Sequence, residues 1–144
     1  MDIQTAKKVI DAFHEAKRVW EKLPELPEGI VSSHITTLDA IVALTEEGRD
    51  VCVTDISQRM NLPRPGVTRT LNRMEKLGLI EKTGDPKDGR VIHIHATARA
   101  MMLYRKYVEE YFSTLSVKMD KLNEENIRTM IETIYTVSDA LKEE

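Results

Sequence analysis

Apolar residues recur along most of the chain at the three- and four-residue steps that are typical of amphipathic helices. The first such stretch covers residues 3–23 and ends before two prolines. A second helix is predicted from a cap at Ser32 or Ser33 to a stop at Gly48. The N-terminal third of the chain is therefore expected to be helical.

Shorter elements are predicted in the middle of the chain. Residues 51–53 form an apolar triplet that favours a brief strand, and Thr54 is a candidate N-cap for a short helix over residues 55–60. Pro65 suits the first position of the next helix, which is predicted to run to Leu77. Two helices joined by a turn of three or four residues form a helix-turn-helix.

A β-hairpin follows the helix-turn-helix. Residues 79–83 and 91–96 are strand candidates, and the segment 84–89 between them is dense in turn-forming residues. Helical periodicity returns as one long apolar stripe over 104–122 and a last helix over 123–141. The predicted fold is mainly α with a small β-hairpin wing: a winged helix-turn-helix core with additional helices at both ends.

Composition limits the class of protein. The chain has 144 residues, 41% of them hydrophobic, which suits a single folded domain. A single cysteine excludes an intramolecular disulfide, and neither a secretory signal nor an apolar stretch long enough to span a bilayer is evident. We therefore expect a soluble, cytoplasmic protein in a reducing compartment. Motifs of hydrolases, nucleotide-binding enzymes and metalloproteases are also missing, so no catalytic residue is predicted.

Charge is distributed unevenly along the sequence. The net charge is −3, but residues 59–99 contain nine basic and four acidic residues, a balance of +5 against −8 for the remainder. A basic region inside an acidic protein is typical of a phosphate-binding surface, although a solvated charged face has the same composition. Which of the two interpretations holds, a phosphate-binding surface or a solvated charged face, depends on the structural element that carries these charges.

The run from Thr54 to Ala100 resembles the winged helix-turn-helix of the MarR family of bacterial and archaeal transcription regulators. The resemblance rests on Thr68-Arg69 followed four residues later by Arg73, and on a D-x-x-D-x-R pattern at 85–90 with Thr97 after it. It extends more loosely to the whole chain, because the family has a helix before this core and two long helices after it. Pro63, Arg64 and Pro65 stand where the family often has small hydroxyl residues before the recognition helix, and Ala100 replaces a glycine that is usual shortly after the wing threonine.

The resemblance implies a homodimeric, ligand-responsive repressor that binds a palindromic operator, with the recognition helix in the major groove and the wing in the minor groove. An activator would differ in the position of its operator, not in its sequence. The implied organisation is a single domain over 1–144, with a DNA-binding lobe at 30–100 and dimerisation helices at 1–25 and 101–144. The predicted DNA-binding residues are Arg64, Gly66, Thr68, Arg69, Asn72, Arg73, Lys87 and Arg90.

Helical spacing places four of these residues on one face of the recognition helix: Thr68, Arg69, Asn72 and Arg73. The resemblance makes Arg69 the base reader, and arginine can bind guanine bidentately. Gly66 would let helix amides approach a phosphate, and Arg90 suits insertion into the minor groove. The structural alternatives are ion pairs of the helix arginines with Glu75 or Asp85, and of Arg90 with Asp88.

The two terminal stripes have no partner within the winged core, so we expect them to pack against each other and against a second subunit. All seven aromatic residues of the chain lie in these regions: Phe13, Trp20, Tyr104, Tyr107, Tyr111, Phe112 and Tyr135. A two-fold dimer would place its recognition helices about 34–36 Å apart, one turn of DNA.

Sensing functions are a further set of candidates. No cofactor is obligatory, but a small aromatic effector could bind among Trp20, His34, Leu38 and Tyr107, although core packing is the favoured explanation of each residue. Cys52 could sense oxidants, but its apolar setting favours an inert thiol.

A zinc site is the other sensing candidate. His93 and His95 share one face of a strand and could bind zinc with Glu81, although exposed polar strand residues are commoner. The alternative functions are thus a metal- or redox-sensing regulator and a winged helix that contacts only proteins.

Overall fold

The computed structural model describes residues 1–142, apart from the side chain of Trp20. They form two compact units, residues 1–104 and residues 105 onward. The first unit contains α1 (Ile3–Trp20), α2 (Ser32–Glu46), α3 (Val53–Met60), α4 (Arg64–Lys76), β1 (Ile80–Gly84), β2 (Ile92–Ala96) and α5 (Ala98–Tyr104). The second contains a π-helical segment (Arg105–Glu110), α6 (Tyr111–Met119) and α7 (Glu124–Ala140). The predicted class, mainly helical with a β-hairpin wing, is confirmed.

The core of the first unit lies where α2, α3, α4 and the hairpin meet. Its fully buried side chains are Leu38, Ile41, Leu44, Ile56, Leu71, Met74, Leu79, Ile80 and Ile94. The two strands are antiparallel, with Lys82 opposite Ile94 in the middle of the pairing. Alternation along each strand sends Ile80 and Ile94 into the core, which anchors the hairpin to the helices.

Glycines end two of the helices as the sequence predicts. Gly48 and Gly78 follow α2 and α4 with φ of +79° and +71°, a conformation that residues with a Cβ rarely adopt. After Gly78 the chain turns directly into β1. The hydroxyl of Thr97 donates to the carbonyl of Gly78 and accepts from the N–H of Ala100, so the start of α5 is tied to the end of α4.

The predicted cap of α2 is wrong. The N-cap is Val31, and Ser32 and Ser33 are the first two residues of the helix. His34 performs the capping instead: its Nδ1 accepts the N–H of Val31 at 3.2 Å. A side chain three residues into the helix thus satisfies a backbone donor that a serine cap leaves open.

The start of α3 also differs from the prediction. The helix begins at Val53 rather than Asp55, and its N-cap is Cys52 rather than Thr54. The carboxylate of Asp55 accepts the N–H of Cys52 at 2.9 Å, which pulls the helix start two residues earlier. Of the predicted strand over residues 51–53, only an isolated bridge between Cys52 and His93 forms.

Smaller differences concern helix ends and regularity. The first helix ends at Trp20 instead of residue 23, α4 begins at Arg64 with Pro65 in its second position, and each strand begins one residue later than predicted. The long helix after the wing contains a π-helical segment. Apolar periodicity identifies the inward face of a helix but does not resolve a single wider turn within it.

Candidate nucleic-acid interface

Helix α4 separates its apolar and polar residues onto opposite faces. Val67, Leu71 and Met74 are buried in the core, as predicted. The side chains on the other face are exposed, and they are those of Arg64, Thr68, Arg69, Asn72 and Arg73. Burial of the three apolar residues fixes the rotation of the helix, so its donor-rich face is presented to solvent.

The N-terminus of α4 offers fewer free amides than the sequence suggests. Pro65 has no N–H, and the N–H of Gly66 donates to the carbonyl of Pro63 at 3.1 Å. The anion-binding amides expected at Gly66 are therefore partly used within the turn. A Cβ added at Gly66 would meet nothing closer than the Arg69 guanidinium at 3.9 Å, so packing within the chain does not require glycine here.

The two arginines in the middle of α4 are not engaged by the acidic residues that could have neutralised them. Within residues 1–142, neither Arg69 nor Arg73 forms an ion pair with Glu75 or Asp85. Glu75 instead pairs with Lys82 of β1 at 3.2 Å. The arginines are therefore available to an external anion.

The two acidic residues at the tip of the hairpin organise its turn. One Asp85 oxygen accepts the backbone N–H groups of Lys87 and Asp88 at 2.7 and 3.0 Å. Asp88 in turn accepts the N–H and the Nε–H of Arg90 at 3.0 and 3.3 Å. The Arg90 side chain remains 92% exposed, so this pair orients the guanidinium without burying it.

His93 links the wing turn to the body of the first unit, a role that sequence patterns did not indicate. Its Nε2 lies 2.8 Å from the second carboxylate oxygen of Asp85, and its backbone forms the bridge to Cys52. This hydrogen bond raises the pKa of His93, and it lowers the pKa of Asp85 together with the amides of Lys87 and Asp88. The hydrogen bond between His93 and Asp85 thus holds the base of the wing turn.

Replacing Asp85 with Asn should return the pKa of His93 toward its ordinary value. Because the folded-state pKa is raised, the stabilisation from this pair is present below about pH 6.5, the value of an unperturbed histidine, and is lost as pH rises through the higher folded value. Titration of the His93 ring protons by NMR measures the shift. Asp88→Asn, which alters a wing carboxylate that does not contact His93, is the matched control. An unchanged His93 titration in Asp85→Asn would contradict the assignment.

The other sensing candidates lie in the same region but are engaged locally. His95 Nε2 lies 2.9 Å from the hydroxyl of Thr83 on the partner strand. The thiol of Cys52 donates to Asp55 at 3.1 Å. In residues 1–142 there is no group of three His, Cys, Asp or Glu side chains suited to hold a metal ion.

Three of the four candidate effector residues belong to the first unit and one to the second. Leu38 is fully buried in the core, and His34 is a buried cap whose pKa is lowered by burial and by nearby Arg73. Tyr107 lies in the second unit, and the side chain of Trp20 lies outside the described residues. A depression of about 270 Å³ in the first unit has other walls: Val42, Thr45, Glu46, His95, Ala96 and Met101. The effector site stays a prediction.

The family model that describes the MarR family matches residues 33–91, the segment that carries α2, the helix-turn-helix and most of the wing. Over this segment the chain is similar to the MarR family. Of the motif residues that carry the resemblance, Thr68, Arg69 and Arg73 are exposed on α4, Asp85, Asp88 and Arg90 lie in the wing turn, and Thr97 precedes α5.

Known relatives agree with this assignment. Over 90 residues the chain is 26% identical to YfiV of Bacillus subtilis, an uncharacterised regulator of the helix-turn-helix type; the match covers 62% of this chain and 56% of YfiV. Two solved structures share the fold. Streptococcus pneumoniae FabT in complex with DNA has a TM-score of 0.70 at 22% identity, with 98% of each chain covered. PcaV of Streptomyces coelicolor, in complex with its natural ligand, has a TM-score of 0.72 at 21% identity, covering 98% of this chain and 97% of PcaV.

None of the helices described here is both long and apolar enough to cross a membrane.

Proposed function

We propose that this protein is a MarR-family regulator that binds double-stranded DNA, with α4 in the major groove and the wing in the minor groove, and acts as a cytoplasmic repressor. The observation that carries the proposal is that most carboxylates near the recognition helix are engaged by internal partners, whereas the arginines of that helix are not. Three of the four acidic residues in the basic segment 59–99 are engaged within it: Glu75 pairs with Lys82, Asp88 pairs with Arg90, and Asp85 is bound by His93. The arginines of α4 are exposed and without such partners among the described residues.

This arrangement suits DNA better than a protein partner. A lobe that binds polyanionic DNA gains when its own carboxylates are neutralised by internal pairs and its cations are left for phosphates and base edges. A winged helix that contacts only proteins has no need of several unpaired arginines on its recognition helix. The DNA complex of FabT, which has the same fold, supports the proposed use of the lobe.

We also propose that the regulator is a homodimer. No residue of α6 or α7 is buried within the chain, although both helices carry apolar side chains. Phe112, Val117, Met130, Ile131 and Ile134 are between 42% and 74% exposed. Exposed apolar helix faces of this extent mark protein interfaces. A symmetric pair of chains then requires an operator with two inverted half-sites.

The experiment that tests the function is selection of binding sites from a pool of duplexes with a randomised centre, followed by titration of the selected duplex with salt. We expect an inverted repeat with half-sites one helical turn apart. We also expect affinity to fall on the order of a thousandfold between about 50 and 200 mM salt, because two protomers together neutralise at least six phosphates. Arg90→Ala should weaken binding and reduce any preference for a narrow, A·T-rich minor groove beside the half-sites.

The outcomes separate the candidate functions. A wild-type protein that enriches no sequence and shows no steep salt dependence would exclude the operator-binding regulator and favour a winged helix that contacts proteins. Enrichment of a single half-site by a monomeric protein, measured by light scattering at micromolar concentration, would exclude the homodimer alone.

Responsiveness to a small aromatic effector is part of the same proposal. The support is the ligand complex of PcaV, which shares the fold. A ligand can shift DNA affinity only through different affinities for the DNA-bound and free states. Release of the selected duplex by aromatic acids or phenols would support this proposal, and Tyr107→Ala would test the predicted site. Unchanged DNA affinity with every such compound would count against it.

A further inference from the structure

Lys82, in the middle of β1, joins the hairpin to the exposed face of α4. Its Nζ lies 2.5 Å from Oδ1 of Asn72 and 3.2 Å from an oxygen of Glu75, two residues one helical turn apart on α4. The lysine side chain is 23% exposed, which makes it far less exposed than the arginines available to solvent. Sequence patterns placed Lys82 only among the general basic residues of the lobe.

These contacts determine which chemical group Asn72 presents. An asparagine that reads adenine uses both ends of its amide: Oδ1 accepts from N6–H, and Nδ2 donates to N7. Here Oδ1 is engaged by the ammonium group of Lys82, a charge-assisted hydrogen bond that is about twice as strong as a neutral one. The Nδ2 amino group, which can only donate, has no hydrogen-bond partner among the described residues, and Asn72 is exposed.

We propose that Lys82 is a positioning residue that sets the base preference of this regulator, because it fixes the Asn72 amide as a donor toward the major groove. The inference rests on the proposed DNA-binding function. With its oxygen engaged, Asn72 favours a base edge that offers an acceptor, such as guanine N7 and O6 or thymine O4, over the paired donor and acceptor of adenine. Glu75 contributes by holding the ammonium group over α4.

The proposal makes Lys82 different from a lysine that contacts phosphate. A phosphate contact weakens binding about evenly for all sequences when it is removed, and it lowers the salt slope by about one. A positioning lysine changes the preference at one base position and leaves the salt slope unchanged. Lys76, an exposed lysine on the same helix with no ion pair in the described part of the chain, is the matched comparison.

The test compares Lys82→Met with wild type on the duplex selected from the randomised pool, and on variants of that duplex at each base position. We expect discrimination at one position in each half-site to fall about tenfold or more, with adenine newly accepted there, and the salt slope to stay constant. Lys76→Met should alter affinity evenly without changing base preference. In an Asn72→Ala background, Lys82→Met should have no further effect on preference, because the amide that it positions is gone.

A measurement on the free protein tests the contact between Lys82 and Asn72 without knowledge of the operator. In the free protein, the side-chain amide of Asn72 should be rigid on the nanosecond timescale by NMR relaxation, and Lys82→Met should make it mobile. Glu75→Gln should leave it largely ordered, because the lysine contact with Oδ1 remains.

Three results would overturn the proposal. Wild-type base preference retained in Lys82→Met, with duplex binding intact, would overturn this inference alone. An even loss of affinity with a lower salt slope would show that Lys82 contacts phosphate. Failure of wild type to select any sequence would remove the proposed function itself, and the positioning role with it.

Discussion

Replacing Arg69 with Ala should weaken binding to the selected operator by roughly 10- to 100-fold per half-site and flatten base discrimination at one position. Arg69 lies on the exposed face of α4 and forms no ion pair with the nearby acidic residues Glu75 and Asp85 in the described chain. A bidentate contact of arginine with guanine contributes about 1–3 kcal/mol of discrimination, which sets this range. Fluorescence anisotropy with the selected duplex, and with duplexes altered at each position, measures the change.

Two controls make the Arg69 result specific. The free energy of unfolding should change by less than about 0.5 kcal/mol, because an exposed arginine without partners contributes little to stability. Arg18→Ala removes another exposed arginine, which lies on α1 and pairs with Glu15, and it should leave base preference unchanged. Equal losses on all duplexes in Arg69→Ala, together with a lower salt slope, would reassign Arg69 to a phosphate contact.

Replacing Leu71 with Ala should lower the free energy of unfolding by about 2–5 kcal/mol, because it leaves a cavity beneath the recognition helix. Leu71 is 1% exposed and belongs to the core that α4 shares with α2, α3 and the hairpin. A loss of this size lowers Tm by roughly 5–15 °C. Thermal unfolding followed by circular dichroism measures it at one fixed protein concentration, because the Tm of a dimer depends on concentration.

Leu62→Ala is the matched control for the core substitution. Leu62 is 48% exposed in the turn before α4, so the same truncation there should cost less than about 1 kcal/mol. At a temperature where the Leu71→Ala protein is folded, its base preference should match that of wild type, because the altered side chain points away from the DNA-binding face. Equal stability losses in the two variants would show that α4 is not anchored through Leu71.

The wing and the recognition helix are both held by contacts that engage acidic residues. Asp85 and Asp88 repel phosphate as free carboxylates, yet each accepts hydrogen bonds within the turn that carries Arg90. Glu75 forms an ion pair with Lys82, whose ammonium group also donates to Asn72. The acidic residues therefore act as organisers of a basic surface, which explains how a chain of net charge −3 can present a DNA-binding lobe.

Much of this fold follows from short-range patterns. The buried face of α4, with Val67, Leu71 and Met74, obeys the helical period, and Gly78 ends the helix with the positive φ that glycine favours. The exposed arginine face and the Arg90–Asp88 pair were also predictable, since both depend on residues within a few positions of each other. The two helix starts were predicted incorrectly because His34 and Asp55, each three residues beyond its cap, supply the capping contacts.

Contacts between distant segments required the tertiary structure. His93 meets Asp85 because antiparallel pairing brings the strand back to the turn, and Lys82 meets Asn72 because β1 packs against α4. His93 and Asp85 are eight positions apart in sequence, and Lys82 and Asn72 are ten positions apart. Local periodicity determines which face of each element is buried, whereas the register and packing of elements decide which polar side chains meet. That difference is why the sequence predicted the exposed arginine face of α4, whereas only the folded chain revealed the contacts of Lys82 and His93.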